Sequence, residues 1–442
     1  MTAGAGWLPP VGRSLVGELA GLAGGDVRVA GWAHEVRAAA DGTEAAVVLR
    51  DHSGLVELVG PGLPMAGGRP DVAPESAVRA RGRVEVAGSS PGGVRVRVDE
   101  LRVESRAAGP LPLGDDAPLD DRLDWRYLDL RRPRNRLVFE VQTTVERAMR
   151  EWWGGHGFLE IHSPKMRAVP NASGRELFTI GYFDRSAYLV QSPQFYKQMA
   201  MSAGFERVFE IGPVFRANPL RTSRHDTEFT SVDVEVSWID SHDDVMAVEE
   251  RWLRHVVAAV EHEHGAEIER RFGRRVRVPE VPFPRMTMAE AQKVLADRGH
   301  QVEGGEGDID ARGERLVAEH VAAEVGHELV FVTEYPAHLR PFYHMRLDDD
   351  SELTRSFDLL WDGLEVTTGA QREHRHDRLV AQAATDPARL AVVRPYLDFF
   401  RFGCPPHGGF GLGLTRMLMC LLGLADVREA TYLPRRRDRL TP

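Results

Sequence analysis

The chain has 442 residues, 43% hydrophobic and 28% charged, which suits two or three globular domains and leaves little room for extended disorder. A formal net charge of −10 argues against a protein that simply coats nucleic acid, although a local basic patch is compatible with it. Two cysteines, Cys404 and Cys420, exclude a disulfide framework and a CxxC zinc site; no apolar run reaches the roughly 20 residues of a bilayer span, and Met1 to Pro10 show no basic-then-apolar leader, so a cytoplasmic protein with no membrane partner is expected.

Up to about Arg106 the sequence reads as β. Short apolar or alternating runs at Val27–Trp32, Ala45–Leu49, Leu55–Val59, Val78–Val86 and Val94–Val103 are broken by the turn signals Asp41-Gly42, Ser53-Gly54 and Ser89-Ser90-Pro91-Gly92-Gly93. Five short strands fit a small closed barrel, with the OB-fold the simplest candidate. Arginine and acidic residues nearly balance there, so charge does not mark the barrel as a nucleic-acid binder. A stretch rich in Pro, Gly, Ala and Asp from Ala107 to about Leu119 reads as linker. The division expected is residues 1–106 as the barrel, 107–133 as linker or hinge, and 134–442 as a second domain.

Beyond the linker, Val141, Val145, Ala148, Met149, Trp152 and Trp153 recur at helical spacing, closed by Gly154-Gly155. Arg207–Arg216 reads as a strand. After a polar loop, Thr230–Trp238 alternates strictly, with Val232, Val234, Val236 and Trp238 on one face and Asp233, Glu235 and Ser237 on the other. The two runs predict a long antiparallel hairpin carrying carboxylates on one face. Met246–His264 reads as a helix, and Thr287-Met288-Ala289-Glu290 as a capping box that opens another. The glycine-rich Gly403–Gly413 leads into an apolar helix. No βαβ alternation is visible, so the fold class expected is α+β: a barrel plus a domain built on an antiparallel sheet flanked by helices.

Four segments carry chemistry. The loop from Gly212 to Asp226 holds Arg216, Arg221, Arg224 and His225, a cluster able to neutralise a polyphosphate through bidentate hydrogen bonds, or simply a solvated hairpin tip. Asp358 and Glu365 are candidate Mg²⁺ carboxylates, and Arg372 follows a small-residue stretch that lets a ligand approach the backbone. Gly409–Gly413 has the wrong spacing for a dinucleotide loop; its glycines suit packing of a strand and a helix under a flat ligand, with Arg416 in the first helical turn. Gln191–Gln198 places Lys197 beside amide side chains. Arginine fills every basic position except Lys165, Lys197 and Lys293, so an ammonium at 197 suits a small carboxylate, while a plain helix start is the simpler reading of that segment alone.

In this order, the segments resemble class II aminoacyl-tRNA synthetases. Phe215-Arg216 in a hairpin loop is similar to that family's motif 2, the glycine-rich strand leading to Arg416 to its motif 3, and the helix from about Val141 with Phe158–Pro164 to its motif 1. The strings QSPQFYKQ, GAQREHRH, CPPHGGFGLG and RRRDRLTP resemble archaeal-type aspartyl-tRNA synthetases in particular, and the likeness runs along nearly the whole chain.

That resemblance implies an anticodon-binding barrel, a homodimer, and L-aspartate, ATP with Mg²⁺, and tRNA as partners. It implies two half-reactions: formation of aspartyl-adenylate, then transfer of the aspartyl group to the tRNA 3′ end. By match to the family, Arg216, Arg416 and Glu365 are catalytic. Arg216, Asn218, Arg224, His225, Asp226, Glu365, Gly413 and Arg416 surround ATP, and Asp358, Glu365 and Thr368 hold Mg²⁺. Lys197 and Arg372 grip the aspartate side chain, with Gln194, Arg216, Asp233 and Thr368 completing that subsite. His34 and Pro91 mark tRNA choice. Relaxed family members resemble this chain in having His at 34 and a small Pro-containing loop, which implies charging of both tRNA(Asp) and tRNA(Asn). The chain departs from the family at Ala172 and Asn218, where Glu is usual, and at Thr415, where Glu or a small residue is common. It also departs at Ala46, where an aromatic commonly stacks an anticodon base, and at Glu57, where Gln commonly reads one. The alternative is a diverged relative that activates aspartate or a related acid for amide formation or specialised metabolism; tRNA charging separates the two.

Overall fold

Val78, Ala80 and Val84 alternate with Arg79, Arg81 and Arg83, which gives Ala77–Val86 one dry face and one wet one. In the computed structural model, which describes residues 12–39, 44–109, 111–114, 116–168, 177–219, 222–302 and 308–442, this run is one of five strands of a closed barrel. They are β1 (Asp26–Arg37), β2 (Ala46–Arg50), β3 (Leu55–Val59), β4 (Ala77–Val86) and β5 (Val94–Ser105), in the order β1-β2-β3-β5-β4. Neighbours are antiparallel except β3 with β5, which is the OB-fold arrangement. Val29, Leu49, Leu58 and Val96 fill the interior, and Leu19 from the turn Val16–Leu22 joins them.

The chain divides into two compact units, Met1–Trp125 and Arg126–Pro442. Arg126 is part of the second unit's core. Its guanidinium is 1% exposed, pairs with Asp129 at 2.8 Å and donates to the carbonyls of Glu429 (3.0 Å) and Thr431 (2.9 Å). The stretch read as linker to residue 133 therefore ends in packed structure; its partners lie about 300 residues further on, where local composition does not reveal them.

An eight-stranded sheet organises the second unit. In chain order its parts are α1 (Pro133–Gly155), β6 (Leu159–Glu160), α2 (Gln194–Ser202), β7 (Arg207–Phe215), β8 (Glu228–Ser237), α3 (His242–Phe272), β9 (Arg285–Thr287), α4 (Met288–Asp297), α5 (Ala311–Val325), β10 (Leu329–Thr333), β11 (Ser356–Trp361), β12 (Leu364–Arg372), β13 (His407–Gly413) and α6 (Leu414–Leu422). The strand order is β9-β10-β11-β12-β13-β8-β7-β6, antiparallel except for the pairs β9–β10 and β6–β7.

On one face, Val232, Val234 and Val236 of β8 pack into a core with α1, α3 and α6. Trp153 and Trp252 stack there with ring centroids 5.0 Å apart. The expected helix at Met246–His264 runs further at both ends, from the Ser241 cap to Gly273 at φ 67°, because polar turns extend it beyond the apolar pattern. Trp238 departs from the expected alternation. Its φ of 63° ends the extended backbone, and the ring is 69% exposed instead of joining the valines. No helix among the described residues is long and apolar enough to cross a membrane.

Candidate active site

The register of three strands builds a floor on the other face of the sheet. Asp233 (β8), Gly411 (β13) and Thr368 (β12) lie in one row, and Glu235, Gly409 and Ala370 in the next. A Cβ at position 409 would stand 2.0 Å from the Val234 carbonyl oxygen, so only glycine lets β13 lie this close to the acidic strand. A cavity of about 470 Å³ opens over this floor.

One end of the cavity sits on a buried charge cluster. Arg372 Nε donates to Glu235 Oε1 (3.0 Å), and its Nη2 donates to Gln194 Oε1 (3.1 Å) and to the Gly409 carbonyl (2.8 Å). Lys197, 2% exposed, holds Asp233 Oδ1 at 3.0 Å and Glu235 Oε2 at 3.4 Å, and donates to the Phe410 carbonyl at 2.8 Å. Burial alone would raise the Glu235 carboxyl, but Arg372 and Lys197 more than offset it and hold it below the usual range. Gln194, Asp233, Thr368 and Arg372 line the cavity. Lys197 does not: it lies one layer down, behind Asp233. In this structure its ammonium neutralises the two carboxylates of β8.

At the other end Arg216, Arg224 and Arg416 face the same space with Asn218, His225 and Gly413. Arg416 Nη1 donates to the Glu365 carbonyl (2.8 Å), and Nη2 lies 3.2 Å from His225 Nε2. A guanidinium only donates, so Nε2 accepts. Burial and then Arg416, Arg224 and Arg216 push His225 down to about 4, which keeps it neutral near pH 7. Three arginines around a neutral imidazole make an anion site. Arg221 and Ala172 lie outside the described residues.

Three further expected residues have these surroundings. Asp358 does not line the cavity; its Oδ2 accepts from Arg340 at 2.7 Å, and Arg340 itself lies 3.6 Å over the Tyr335 ring. Thr368, expected at a metal, gives its hydroxyl to Glu365 Oε1 (3.1 Å) and so orients that carboxylate. Asp226 lines the nucleotide end of the cavity and also binds the C-terminal segment, accepting from Thr431 Oγ1 at 2.9 Å with Arg436 at 3.6 Å. Arg340, His344 and Glu314 were not singled out from the sequence. Glu314 holds Arg224 at 2.9 Å and reaches the site from α5, more than fifty residues from Glu365 in sequence. No short motif marks any of them.

Asp226 makes stability depend on pH. Burial pushes it from 3.8 up to about 6. A raised folded-state value stabilises most at low pH, below the unfolded value, and that contribution is lost as pH rises through about 6. A shift of this size is worth about 3 kcal/mol. Asp226→Asn is expected to raise the Tm at pH 8 and leave it unchanged at pH 4; equal shifts at both would remove Asp226 from the account.

Residues 119–437 match the family model of class II tRNA synthetases (D, K and N). The chain belongs to this family. It is 44% identical over 427 residues to the aspartate--tRNA(Asp/Asn) ligase of Methanopyrus kandleri, covering 95% of this chain and 96% of that one. It is 40% identical over 429 residues to the aspartate--tRNA(Asp) ligase of Pyrococcus abyssi, covering 95% and 97%. Among solved structures it is similar to the asparaginyl-tRNA synthetase of Pyrococcus horikoshii complexed with asparaginyl-adenylate, with a TM-score of 0.88, 32% identity, and coverage of 98% and 100%.

In this class II synthetase the barrel carries the other marked positions. His34 Nδ1 accepts from Arg50 Nη1 (2.8 Å), and Arg50 is held in turn by Glu75 (2.7 Å). The turn Pro91–Gly93 meets β3: Glu57 accepts from the hydroxyl of Ser90, which precedes that turn, and from Arg37 at 2.7 Å. Ala46 is 4% exposed and offers no ring for stacking.

Proposed function

We propose that this chain is an aspartate–tRNA ligase that charges both tRNA(Asp) and tRNA(Asn). In the first step an aspartate α-carboxylate oxygen attacks the α-phosphorus of ATP. The bond to pyrophosphate breaks and its electron pair leaves with pyrophosphate. In the second step the tRNA 3′-terminal hydroxyl attacks the aspartyl carbonyl carbon, and AMP leaves. The observation that carries this reading is one cavity with Arg372 and Asp233 at one end and Arg216, Arg224 and Arg416 at the other. An amino acid with two carboxylates and one ammonium, and a polyphosphate, fit end to end.

Arg216 serves the α-phosphate, where charge develops. Arg224 and Arg416 hold the outer phosphates, Asn218 and His225 the adenine side, and Gly413 lets the nucleotide lie close to the backbone. Asp233 and Gln194 face the substrate ammonium. Catalysis is mostly positioning and preorganised charge. Mg²⁺ fits the site in part: Glu365 offers a carboxylate in the cavity lining, while Asp358 is held by Arg340 outside that lining. Bound with ATP, it supplies positive charge to the phosphate oxygens. Assembly as a homodimer belongs to the same reading, with sedimentation as its test.

Relaxed tRNA choice draws support from His34 and the small Pro91–Gly93 turn, and from relatives named for both tRNAs in Methanopyrus kandleri and Aeropyrum pernix. Specificity needs contacts that reject the wrong partner, and a small turn supplies few. The deciding measurement is aspartylation of purified tRNA(Asp) and tRNA(Asn) transcripts. Comparable kcat/KM values are expected. A preference of about a hundredfold, nearly 3 kcal/mol, would refute relaxed choice. Charging of neither would return the weight to adenylation without tRNA.

Asn218 yields a further expectation. It stands where the family usually has Glu and lines the nucleotide end. A hydrogen bond to a charged group is worth about 1.5–3 kcal/mol against about 1 for a neutral one, so Asn218→Glu is expected to lower the ATP KM several-fold. An unchanged or higher KM would show that the neighbours have been retuned around Asn.

A further inference from the structure

His344 is 3% exposed, lines the amino-acid end of the cavity and bridges the Arg372 backbone. Its Nε2 lies 2.9 Å from Arg372 Nη1. The guanidinium has no lone pair to offer, so Nε2 is the acceptor and the hydrogen sits on Nδ1. That Nδ1 is buried and has no partner among the described residues. An unmet buried donor costs about 1–3 kcal/mol, so local hydrogen bonding does not by itself favour a histidine here. Among the described residues, the side chain's one polar contact is with Arg372.

The charges around it show what that contact does. Lys197 and Arg372 face Asp233 and Glu235, two cations against two carboxylates. Of the four groups that hold the Arg372 fork, only Glu235 carries charge; Gln194, the Gly409 carbonyl and His344 are neutral acceptors. A third carboxylate at position 344 would leave the cluster net negative and repel an acidic ligand. A neutral acceptor fixes the fork and leaves its charge for the ligand. Burial, then Arg372, Arg340 and Lys197, also hold the imidazole well below its ordinary value, so it stays neutral.

We propose that His344 is a positioning residue that acts through Arg372 to set the preference for an acidic over an amide side chain. The proposal rests on the aspartate reading and adds a residue to it. The test is ATP–pyrophosphate exchange with aspartate and with asparagine, in the full-length protein and its His344→Leu, His344→Gln and His344→Asp variants, with ATP KM and thermal unfolding measured on each. His344→Leu should raise the aspartate KM about tenfold and leave the ATP KM within about twofold. His344→Gln, whose amide oxygen is a neutral acceptor reaching the position of Nε2, should restore most of that loss. His344→Asp should narrow the aspartate-to-asparagine ratio of kcat/KM by about tenfold or more. If either the Leu or the Asp variant does not fold, the other decides on its own readout: the split between aspartate and ATP KM for Leu, the aspartate-to-asparagine ratio for Asp. An unmoved ratio in a folded His344→Asp, or equal rises in both KM values in His344→Leu, also overturns it. Wild-type protein with no aspartate-dependent exchange strikes down the aspartate reading and this proposal together. Wild-type exchange with unmoved Leu and Asp variants strikes down this proposal alone.

Discussion

Lys197→Ala is expected to destabilise the fold by about 3–5 kcal/mol and to cut aspartate kcat/KM far more than asparagine kcat/KM. The ammonium is 2% exposed and stands between Asp233 and Glu235, at 3.0 and 3.4 Å. Removing it leaves two buried carboxylates against Arg372 alone. Part of the loss is therefore structural and appears in urea unfolding. The rest is electrostatic: the excess negative charge lies directly under the end of the cavity that receives an anionic side chain. A neutral amide does not feel that repulsion to the same degree. Lys197→Met with Glu235→Gln restores neutrality and should recover most of the stability, because an ion pair replaced as a pair is close to neutral overall. On the same electrostatics it should also recover much of the aspartate preference, because Asp233 is then matched by Arg372. Equal losses for the two amino acids with unchanged stability would mean that Lys197 does not neutralise this cluster.

The sequence was most legible where a local pattern and the tertiary structure ask for the same thing. Period-two alternation located the barrel strands, and the hairpin valines and carboxylates separate onto opposite faces of β8 as expected. Trp238 marks the limit of that reasoning. Alternation describes extended backbone, and one residue at positive φ takes the ring out to solvent. The arginines of the hairpin loop were visible as a type of chemistry, but not the Glu314 that holds Arg224 from a distant helix. Asp358 could be read as a carboxylate but not as one capped by Arg340. Arg126 has the same history: in sequence it is one arginine at the end of a polar stretch, and in the fold it is a buried fork that ties down carbonyls near the C-terminus. In each case the partner is set by sheet order, which brings together segments tens to hundreds of residues apart. Composition and periodicity hold no record of it.

Arg216 should separate catalysis from stability where Lys197 mixes them. It follows β7 directly, its backbone N–H donates to the Thr227 carbonyl at 2.9 Å, and its guanidinium lies 5.2 Å from the Phe229 ring centroid. The hairpin fixes its base and the aromatic face steers its head, so the charge is aimed before any ligand arrives. Arg216→Gln keeps the backbone and most of the stem, so Tm should stay within a few degrees of the wild type. The kcat of aspartate-dependent exchange should fall about 10²–10³-fold, the range found when one preorganised donor to developing charge is removed. ATP KM should rise much less, because Arg224 and Arg416 still face the same end of the cavity. Arg216→Lys is expected to recover only part of kcat: an ammonium supplies the charge but not the planar fork that can reach the α-phosphate and the substrate carboxylate together. A variant with normal kcat and only a raised ATP KM would make Arg216 a ground-state binding residue, and the step at the α-phosphorus would then need another cation, of which Arg416 is the first to test.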